Sequence, residues 1–399
     1  MSSPKRLRAA VVGTGFVGPH HVDAVRRGGY AEVDVLVDRD PKRGPRTADS
    51  LGVPRAVTDI GAVLGDPAID VVHICTPNRT HVELARAVME AGKHVVVEKP
   101  VAVDRAGAAE LLEVAKRTRR HAAVALTYRG YPMVRQARDL VAGGRLGQLR
   151  LVHGAYLQDW LSDPGDYNWR VDPAVGGVSR AFADIGTHWF DTVEFIAGAR
   201  AQSVMADFAT LVPIRQRPIQ SGPAFGAGTG PTEPVAIESE DAATVLVRFA
   251  DGARGSVIVS QVSPGLKNDF TVELSGSDGS LRWAQERPEQ LWLGSRGESE
   301  VQVRAPAGRG WPVGVPSLPA GHPEGWGEAL RDVLRPFYAA IAEGEPPPDE
   351  DDAAYPTLAD GARGVALIDA VVESSKAGRW VDIRPIKGMA SAEDGQPAE

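Results

Sequence analysis

The sequence predicts an α/β N-terminal Rossmann domain, a doubly wound parallel sheet, followed by an α+β domain with a large open, mainly antiparallel sheet. Three observations predict it. Short unbroken apolar runs alternate with helical segments over the first third of the chain, as in parallel sheets covered on both faces. The first of these runs leads straight into Gly13-Thr-Gly15-Phe-Val-Gly18. From Tyr128 onward, runs with period-two alternation dominate, joined by glycine turns such as Asp251-Gly252 and Asp278-Gly279, which suits antiparallel hairpins. At 399 residues the chain exceeds what one hydrophobic core covers. The expected division is residues 1–127, residues 128–386 and a disordered tail at 387–399.

Composition narrows the function. With 44 Lys and Arg against 52 Asp and Glu, the net charge is −8, which gives no electrostatic ground for nucleic acid or an anionic membrane surface as partner. The single cysteine, Cys75, excludes an internal disulfide and fits a reducing compartment; it ends the apolar run Val71-Val-His-Ile-Cys75 and reads as a packing residue. No run approaches the roughly 18 to 20 apolar residues that span a bilayer. Met1-Ser-Ser-Pro-Lys-Arg lacks the apolar core of an export signal, so the expected location is cytoplasmic.

In the first domain, Leu7 to Val12 reads as a buried strand. The glycine motif behind it serves a dinucleotide in three ways: Gly13 permits the tight turn, Gly15 lets the backbone approach the pyrophosphate, and Gly18 lets the helix pack on the strand. Thr14, Phe16 and Val17 complete the phosphate-side loop. The strand Val33 to Val37 ends in Asp38, twenty residues beyond Gly18. An acid there accepts both ribose hydroxyls of NAD and repels a 2′-phosphate, so NAD is the expected cofactor. Arg39 could lie on adenine or hold a 2′-phosphate, which leaves NADP as the lesser alternative. A short strand near Ala56 precedes a helix at 60–64, with Thr58-Asp59 placed to cap it. Ile69 to Cys75 is the next strand, and Thr76-Pro77-Asn78-Arg79-Thr80-His81 follows it. A helix then runs to Ala91 and closes at Gly92. Thr76, Pro77, Asn78 and His81 therefore stand at the carboxyl end of a strand, where the nicotinamide half of a cofactor lies. The strand His94 to Glu98 ends on the charged pair Glu98-Lys99, and Pro100 stops its continuation. Lys99 reads as a group standing over the nicotinamide; a solvated strand end is the plainer reading. A helix over 103–119 and a last strand, Ala122 to Leu126, complete the domain.

In the second domain, a helix from Tyr128-Arg-Gly-Tyr-Pro132 to Val141 ends at Gly143-Gly144. Strands are expected at 149–158, 203–211, 243–249, 255–262, 270–275, 280–283 and 291–293. The proline-rich stretches 213–234 and 305–323 read as surface loops, the first as a mobile loop or lid. Two helices, 327–341 and 358–377, close the domain. Asp184-Ile-Gly-Thr-His188 opens a helix that ends near Gly198 and puts Asp184 and His188 four residues apart on one face. A carboxylate and an imidazole so placed suit acid–base work; a helix cap with a packed histidine is the plainer reading. A metal would need a third ligand at matching spacing, and none is evident, so no metal is expected. Tyr156-Leu-Gln-Asp-Trp160 and Asn168-Trp169-Arg170 interleave flat rings with amides and charges, which suits a carbohydrate. Tyr128, Tyr156, Trp169 and Arg170 are the expected substrate contacts, with Lys99, Asp184 and His188.

Taken in order, GTGFVG, CTPNRTH, VVVEKP, DIGTHWFD and DGARGVALIDAVVESSKAGRWV resemble the glucose–fructose oxidoreductase/inositol dehydrogenase (Gfo/Idh/MocA) family over nearly the whole chain. The resemblance implies catalytic roles for Lys99, Asp184 and His188, a cis-proline after Lys99, and dimers or tetramers formed through the open sheet face. It implies oxidation of a sugar or cyclic polyol, with hydride passing to the nicotinamide. YLQDWL, DYNWR and SQVSPGLKN further resemble a sugar-oxidising subgroup, levoglucosan dehydrogenases and relatives, that oxidises ring hydroxyls. A redox-neutral enzyme that retains NAD and a non-catalytic NAD-dependent sensor are the rival readings.

Overall fold

The structure, a computed structural model, describes residues 6–219, 230–305, 318–348 and 353–389. The chain folds into two compact units. The first comprises Met1–Thr127, Leu330–Ala366 and Pro385–Glu399, the second Tyr128–Ala329 and Leu367–Arg384.

The first unit is a six-stranded parallel sheet in the order β3-β2-β1-β4-β5-β6. Its strands are β1 (Leu7–Val12), β2 (Ala31–Val37), β3 (Arg55–Val57), β4 (Val71–Ile74), β5 (His94–Val97) and β6 (Ala122–Val124). Helices α1 (Val17–Gly28), α2 (Arg43–Leu51), α3 (Gly61–Leu64), α4 (His81–Glu90) and α5 (Arg105–Thr118) connect them. Val95, Val96 and Val97 are fully buried, as a strand covered on both faces requires; each such side chain stabilises the fold by about 1.5–3 kcal/mol. The order reverses direction between β1 and β4, the switch point where an open α/β sheet takes its ligand.

Local expectations at two helix starts need correction. Asp104 caps α5 by accepting the Gly107 N–H at 2.8 Å, so that helix begins two residues later than the pattern suggested. At α3 no side chain caps, and Thr58-Asp59 does not act there.

The second unit holds a nine-stranded sheet in the order β16-β15-β14-β13-β7-β12-β11-β8-β17. The strands are β7 (Leu149–Leu157), β8 (Ala201–Ala209), β11 (Ala242–Phe249), β12 (Arg254–Ser260), β13 (Asp269–Gly276), β14 (Ser280–Ala284), β15 (Gln290–Gly294), β16 (Ser299–Val303) and β17 (Val381–Asp382). All neighbours are antiparallel except β7 and β12. A separate two-stranded hairpin, β9 (Ile214–Pro218) with β10 (Thr232–Ala236), occupies much of the stretch expected to be a loop. Its prolines disguised it in the sequence; residues 220–229 of the expected lid lie outside the described residues. Helices α6 (Pro132–Ala142), α7 (Pro173–Gly176) and α8 (Thr187–Ala197) belong to this unit.

The expectation of one continuous second domain also needs correction. Most of α9 (Trp326–Glu343) and the start of α10 (Leu358–Ala377) return to the first unit. Burial explains the return. Tyr338 donates or accepts at His73, Tyr355 at His121, and the Val124 N–H donates to the Pro356 carbonyl at 2.9 Å, so β6 is sealed by chain that lies more than two hundred residues away. Most of the expected tail, 390–399, lies outside the described residues. Among the described residues no helix is long and apolar enough to cross a membrane.

Candidate active site

The glycine loop of the first unit has the backbone geometry that its spacing implied. Gly13 has φ +96°, and a Cβ on it would lie 2.6 Å from the Cys75 carbonyl oxygen. A Cβ on Gly18 would lie 2.2 Å from the Gly13 oxygen, whereas nothing lies within 4 Å of one on Gly15. That open side at the N-terminus of α1 fits a pyrophosphate held by backbone N–H groups and the helix dipole. Gly15→Ala is therefore expected to leave Tm unchanged and to weaken NAD binding at least about tenfold, a cost of roughly 1.4 kcal/mol. Gly13→Ala should lower Tm as well, because its conformation is strained for any other residue. Thermal melts beside fluorescence titration of NADH check both. Phe16 is exposed and Val17 half-buried at the same loop, and the Phe16 ring meets His20 edge-on at 5.1 Å.

Asp38 ends β2 with its carboxylate already engaged. The Thr14 hydroxyl donates to Oδ2, the Asp40 N–H to Oδ1 at 2.9 Å, and the Arg43 guanidinium forks onto both oxygens at 2.9 Å. Burial would raise its pKa; the bonds from Arg43, Thr14 and Asp40 outweigh this and hold it below the ordinary carboxyl value. Arg39 is exposed, so the guanidinium beside the acid is Arg43, five residues on, and not Arg39. Helix α2 makes the difference by turning Arg43 back toward the strand end.

Thr76, Pro77 and Asn78 follow β4, with Asn78–Thr80 in a single 3₁₀ turn. His81 opens α4. It is 1 % exposed, and its two ring nitrogens lie 2.8 Å from the carbonyl oxygens of Thr76 and Pro100, so it ties the ends of β4 and β5 together. Burial lowers its pKa against the pull of those carbonyls and Glu98. Lys99 follows β5 and precedes a cis peptide bond to Pro100. Glu98 is buried, and its Oε2 accepts the Lys99 N–H at 3.2 Å.

In the second unit, Asp184 does not cap a helix. It sits inside a π turn, Phe182–Gly186, that runs on into α8. Such turns recur at functional sites because they re-aim side chains. Gly186 permits it: a Cβ there would lie 2.5 Å from the Phe182 ring. Glu240 anchors its start, accepting from the Ser179 hydroxyl at 2.7 Å and from the Arg180 and Phe182 N–H groups at 2.9 Å.

Asp184 is held from behind by residues that its own motif does not contain. Arg180 donates to the Gln261 carbonyl oxygen at 3.1 Å, and the Gln261 amide nitrogen donates to Asp184 Oδ2 at 2.8 Å. Because the arginine fixes which end of the amide faces Asp184, the carboxylate must accept. Arg180 in turn shares Asp241 with Arg215, all three side chains fully buried. On the other side Arg170 Nε lies 3.4 Å from Asp184 Oδ1, with its guanidinium stacked 4.5 Å over the Trp169 ring. Trp169, Arg170 and Asp184 thus come together as expected.

Tyr128 and Tyr156 take a different position from that expected. They are 2 % and 4 % exposed, so they stand behind the site instead of offering an open face. The Tyr128 ring meets His188 edge-on at 4.9 Å, its hydroxyl bonds that of Tyr156, and Tyr156 donates to Asn268 at 2.9 Å. Burial pushes Tyr128 up to about 12, which keeps it a neutral hydroxyl at any physiological pH. Gln261 and Asn268 both lie in SQVSPGLKN, and the signal that could have found them was a pair of amides flanking a strand end. Among the described residues no group of three or more His, Cys, Asp or Glu side chains could hold a metal ion.

Comparison with known proteins shows the family. Residues 7–126 match the oxidoreductase family with an NAD-binding Rossmann fold, and residues 134–282 match the GFO/IDH/MocA C-terminal domain. Levoglucosan dehydrogenase of Pseudarthrobacter phenanthrenivorans is 32 % identical over 96 % of this chain and 99 % of its own length. A levoglucosan dehydrogenase structure in complex with NADH and levoglucosan superposes with a TM-score of 0.83, 30 % identity and coverage of 95 % of this chain and 100 % of the other. An inositol dehydrogenase homologue from Azotobacter vinelandii complexed with NAD+ gives 0.81 and 29 %, covering 95 % and 97 %. Matched in both domains and along nearly its whole length, the chain belongs to the GFO/IDH/MocA family of NAD-binding oxidoreductases.

Proposed function

We propose that the protein is an NAD-dependent dehydrogenase oxidising a ring hydroxyl of a sugar, anhydrosugar, glycoside or cyclic polyol. The observation that carries this reading is Asp184, held as an acceptor by Gln261 with Arg170 and Trp169 at its side, one helical turn from His188. A ring flanked by hydroxyls needs such a set: a flat apolar face, a cation and an oriented acceptor. NAD, when bound, supplies the acceptor for the hydride. His188 takes the proton of the reacting hydroxyl, and Lys99 donates to the same oxygen as it becomes a carbonyl. Asp184 Oδ1 accepts from a neighbouring hydroxyl and fixes which carbon reacts. His188 and Lys99 could exchange duties, since both are proton carriers. The proposed site on the cofactor side is Gly13 to Val17, Asp38, Arg39, Thr76 to Asn78, His81, Glu98 and Lys99.

A panel of sugars, anhydrosugars, inositols and glycosides, followed by NADH absorbance with NAD and NADP in parallel, tests the reading. Net NADH from a ring alcohol is expected, with NAD preferred. Cleavage or elimination products without net NADH would support the redox-neutral rival instead.

A homodimer or homotetramer through the sheet face belongs to the same proposal. Leu151, Leu246 and Ile258 are 54 %, 45 % and 51 % exposed on the adjacent strands β7, β11 and β12, and clustered exposed apolar side chains mark contact surfaces. Leu246→Glu combined with Ile258→Glu is expected to yield a monomer by light scattering. An oligomer that survives the double substitution places the contact elsewhere.

A further inference from the structure

A chain of buried side chains runs from Glu98 back into the first unit. Its carboxylate lies 2.9 Å from His21 Nε2, His21 Nδ1 lies 2.8 Å from His73 Nδ1, and His73 Nε2 lies 2.5 Å from the Tyr338 hydroxyl. His21 and His73 are 0 % exposed and Tyr338 3 %. Neither dinucleotide binding nor the chemistry proposed above requires His21, His73 or Tyr338.

Hydrogen-bond bookkeeping admits this chain in two charge states. With Glu98 ionised and both imidazoles neutral, His21 donates through Nε2, so its Nδ1 must accept. His73 then donates through Nδ1 and accepts the Tyr338 proton at Nε2. Every link is made, and the chain carries one negative charge. Add one proton at the Glu98–His21 contact, and His21 Nδ1 becomes the donor. His73 now accepts there and donates from Nε2 to the Tyr338 oxygen. Every link is made again, whichever of Glu98 and His21 holds the added proton, and the chain is neutral. A buried group left without its partner costs about 1–3 kcal/mol; all three links are kept in both states, and the Tyr338 hydroxyl proton is the one that gives up its acceptor, His73, when the chain is neutral. Burial, with His21 nearby, pushes His73 well below its ordinary range, in keeping with a ring that stays neutral in both states and only reverses its direction.

The position of Glu98 gives the proton a use. It follows β5, at the carboxyl edge of a sheet whose switch point takes the dinucleotide across its strand ends. The oxidised nicotinamide is cationic and the reduced ring is neutral. We propose that the Glu98–His21–His73–Tyr338 chain is a one-proton store that compensates this change, anionic with the oxidised cofactor and neutral with the reduced one. The proposal rests on the reading of the protein as an NAD-dependent dehydrogenase. The alcohol gives its hydride to the nicotinamide and its hydroxyl proton to the catalytic base, leaving a carbonyl. The store takes up one further proton from solvent at Glu98, whose side chain is 11 % exposed, and returns it when the cofactor is reoxidised. Among the described residues, charged or titratable groups facing the chain include His20 on α1, Cys75 after β4, His81 on α4, Lys99, and Asp70 toward Tyr338. Burial lowers His20 and His81 and raises the Cys75 thiol.

Isothermal titration of NAD+ and of NADH into the whole protein, in buffers of low and high ionisation enthalpy, counts the protons. NADH binding is expected to take up on the order of one more proton than NAD+ binding, and the ratio of the two affinities to shift toward NADH by up to about tenfold per pH unit as pH falls. Equal proton uptake throughout about pH 5 to 8 would overturn the proposal without any variant. Glu98→Gln, similar in shape but unable to titrate, should bring the difference to zero; an undiminished difference would place the proton elsewhere and overturn it. Where that variant fails to fold, Tyr338→Phe removes a partner that His73 has in both states. It should move the midpoint of the linkage by at least about half a pH unit, and an unmoved midpoint would show that the four groups do not act together. A protein that binds both cofactor forms with this linkage but oxidises no alcohol would defeat the functional reading and leave the store standing.

Discussion

Lys99→Ala and His188→Ala should each lower turnover about 10²- to 10⁴-fold, the usual contribution of a positioned acid–base group, while NAD still binds. Both residues are held in place by the fold. Lys99 is set by the end of β5 and by Pro100, whose carbonyl is bound to His81. His188 is 9 % exposed on α8 with the Tyr128 ring against it. Alanine removes the proton carrier in each case without touching Gly13 to Val17 or Asp38. Steady-state NADH production beside fluorescence titration of NADH separates the two quantities. Full activity in Lys99→Ala would refute its role at the reacting oxygen. A parallel loss of NAD affinity would instead mean that the lysine serves cofactor binding.

The largest expected effect on stability comes from Asp241→Ala. Asp241 lies between two fully buried guanidinium groups, those of Arg180 and Arg215, and its Oδ2 accepts the Leu211 and Val212 N–H groups at 2.7 Å. Removing one partner from a buried ionic cluster costs about 3–5 kcal/mol, because the remaining charges stay out of water. For a domain of this size that is a fall in Tm of roughly 6–20 °C. The same substitution frees Arg180, whose bond to Gln261 orients the amide that holds Asp184. Surviving folded protein should therefore show a raised KM with the cofactor Kd intact. Burial raises the Asp241 pKa, but the Val212 N–H and the two arginines more than reverse it, so the group lies below its ordinary value. Its stabilisation is thus complete above the unfolded carboxyl value of about 3.9 and is lost as pH falls through the lower folded value. An Asp241→Ala protein with unaltered Tm at neutral pH would contradict the cluster's role.

Much of the fold was legible from periodicity. The parallel strands of the first unit are short runs of valine and alanine, and burial on both faces leaves no alternative composition. The alternating strands of the second unit were found because one face packs and the other does not, as in β11, where Ala243, Val245, Val247 and Phe249 are buried. The misses share a cause. The β9–β10 hairpin carries proline and charge in place of alternation, and its strands pair only with each other. Strand β17 has two residues and exists through its register with β8. The return of α9 and α10 to the first unit depends on Tyr338 and Tyr355 reaching histidines on distant strands, which no local window contains.

At the candidate site, the sequence by itself determined the glycine loop, Asp38 at a strand end, the Lys99–Pro100 strand end and the four-residue spacing of Asp184 and His188. Each is a short motif whose chemistry depends on neighbours within a few residues. The tertiary structure decided what each group is committed to. It gave Asp38 to Arg43, locked His81 between two carbonyls, and placed Tyr128 and Tyr156 behind His188. It also put Gln261 on Asp184 and linked Glu98 through His21 and His73 to Tyr338. The physical reason is that a buried polar group must find its partner wherever the chain supplies one. The partners came from across the sheets, 77 positions away for Gln261 and 265 between His73 and Tyr338.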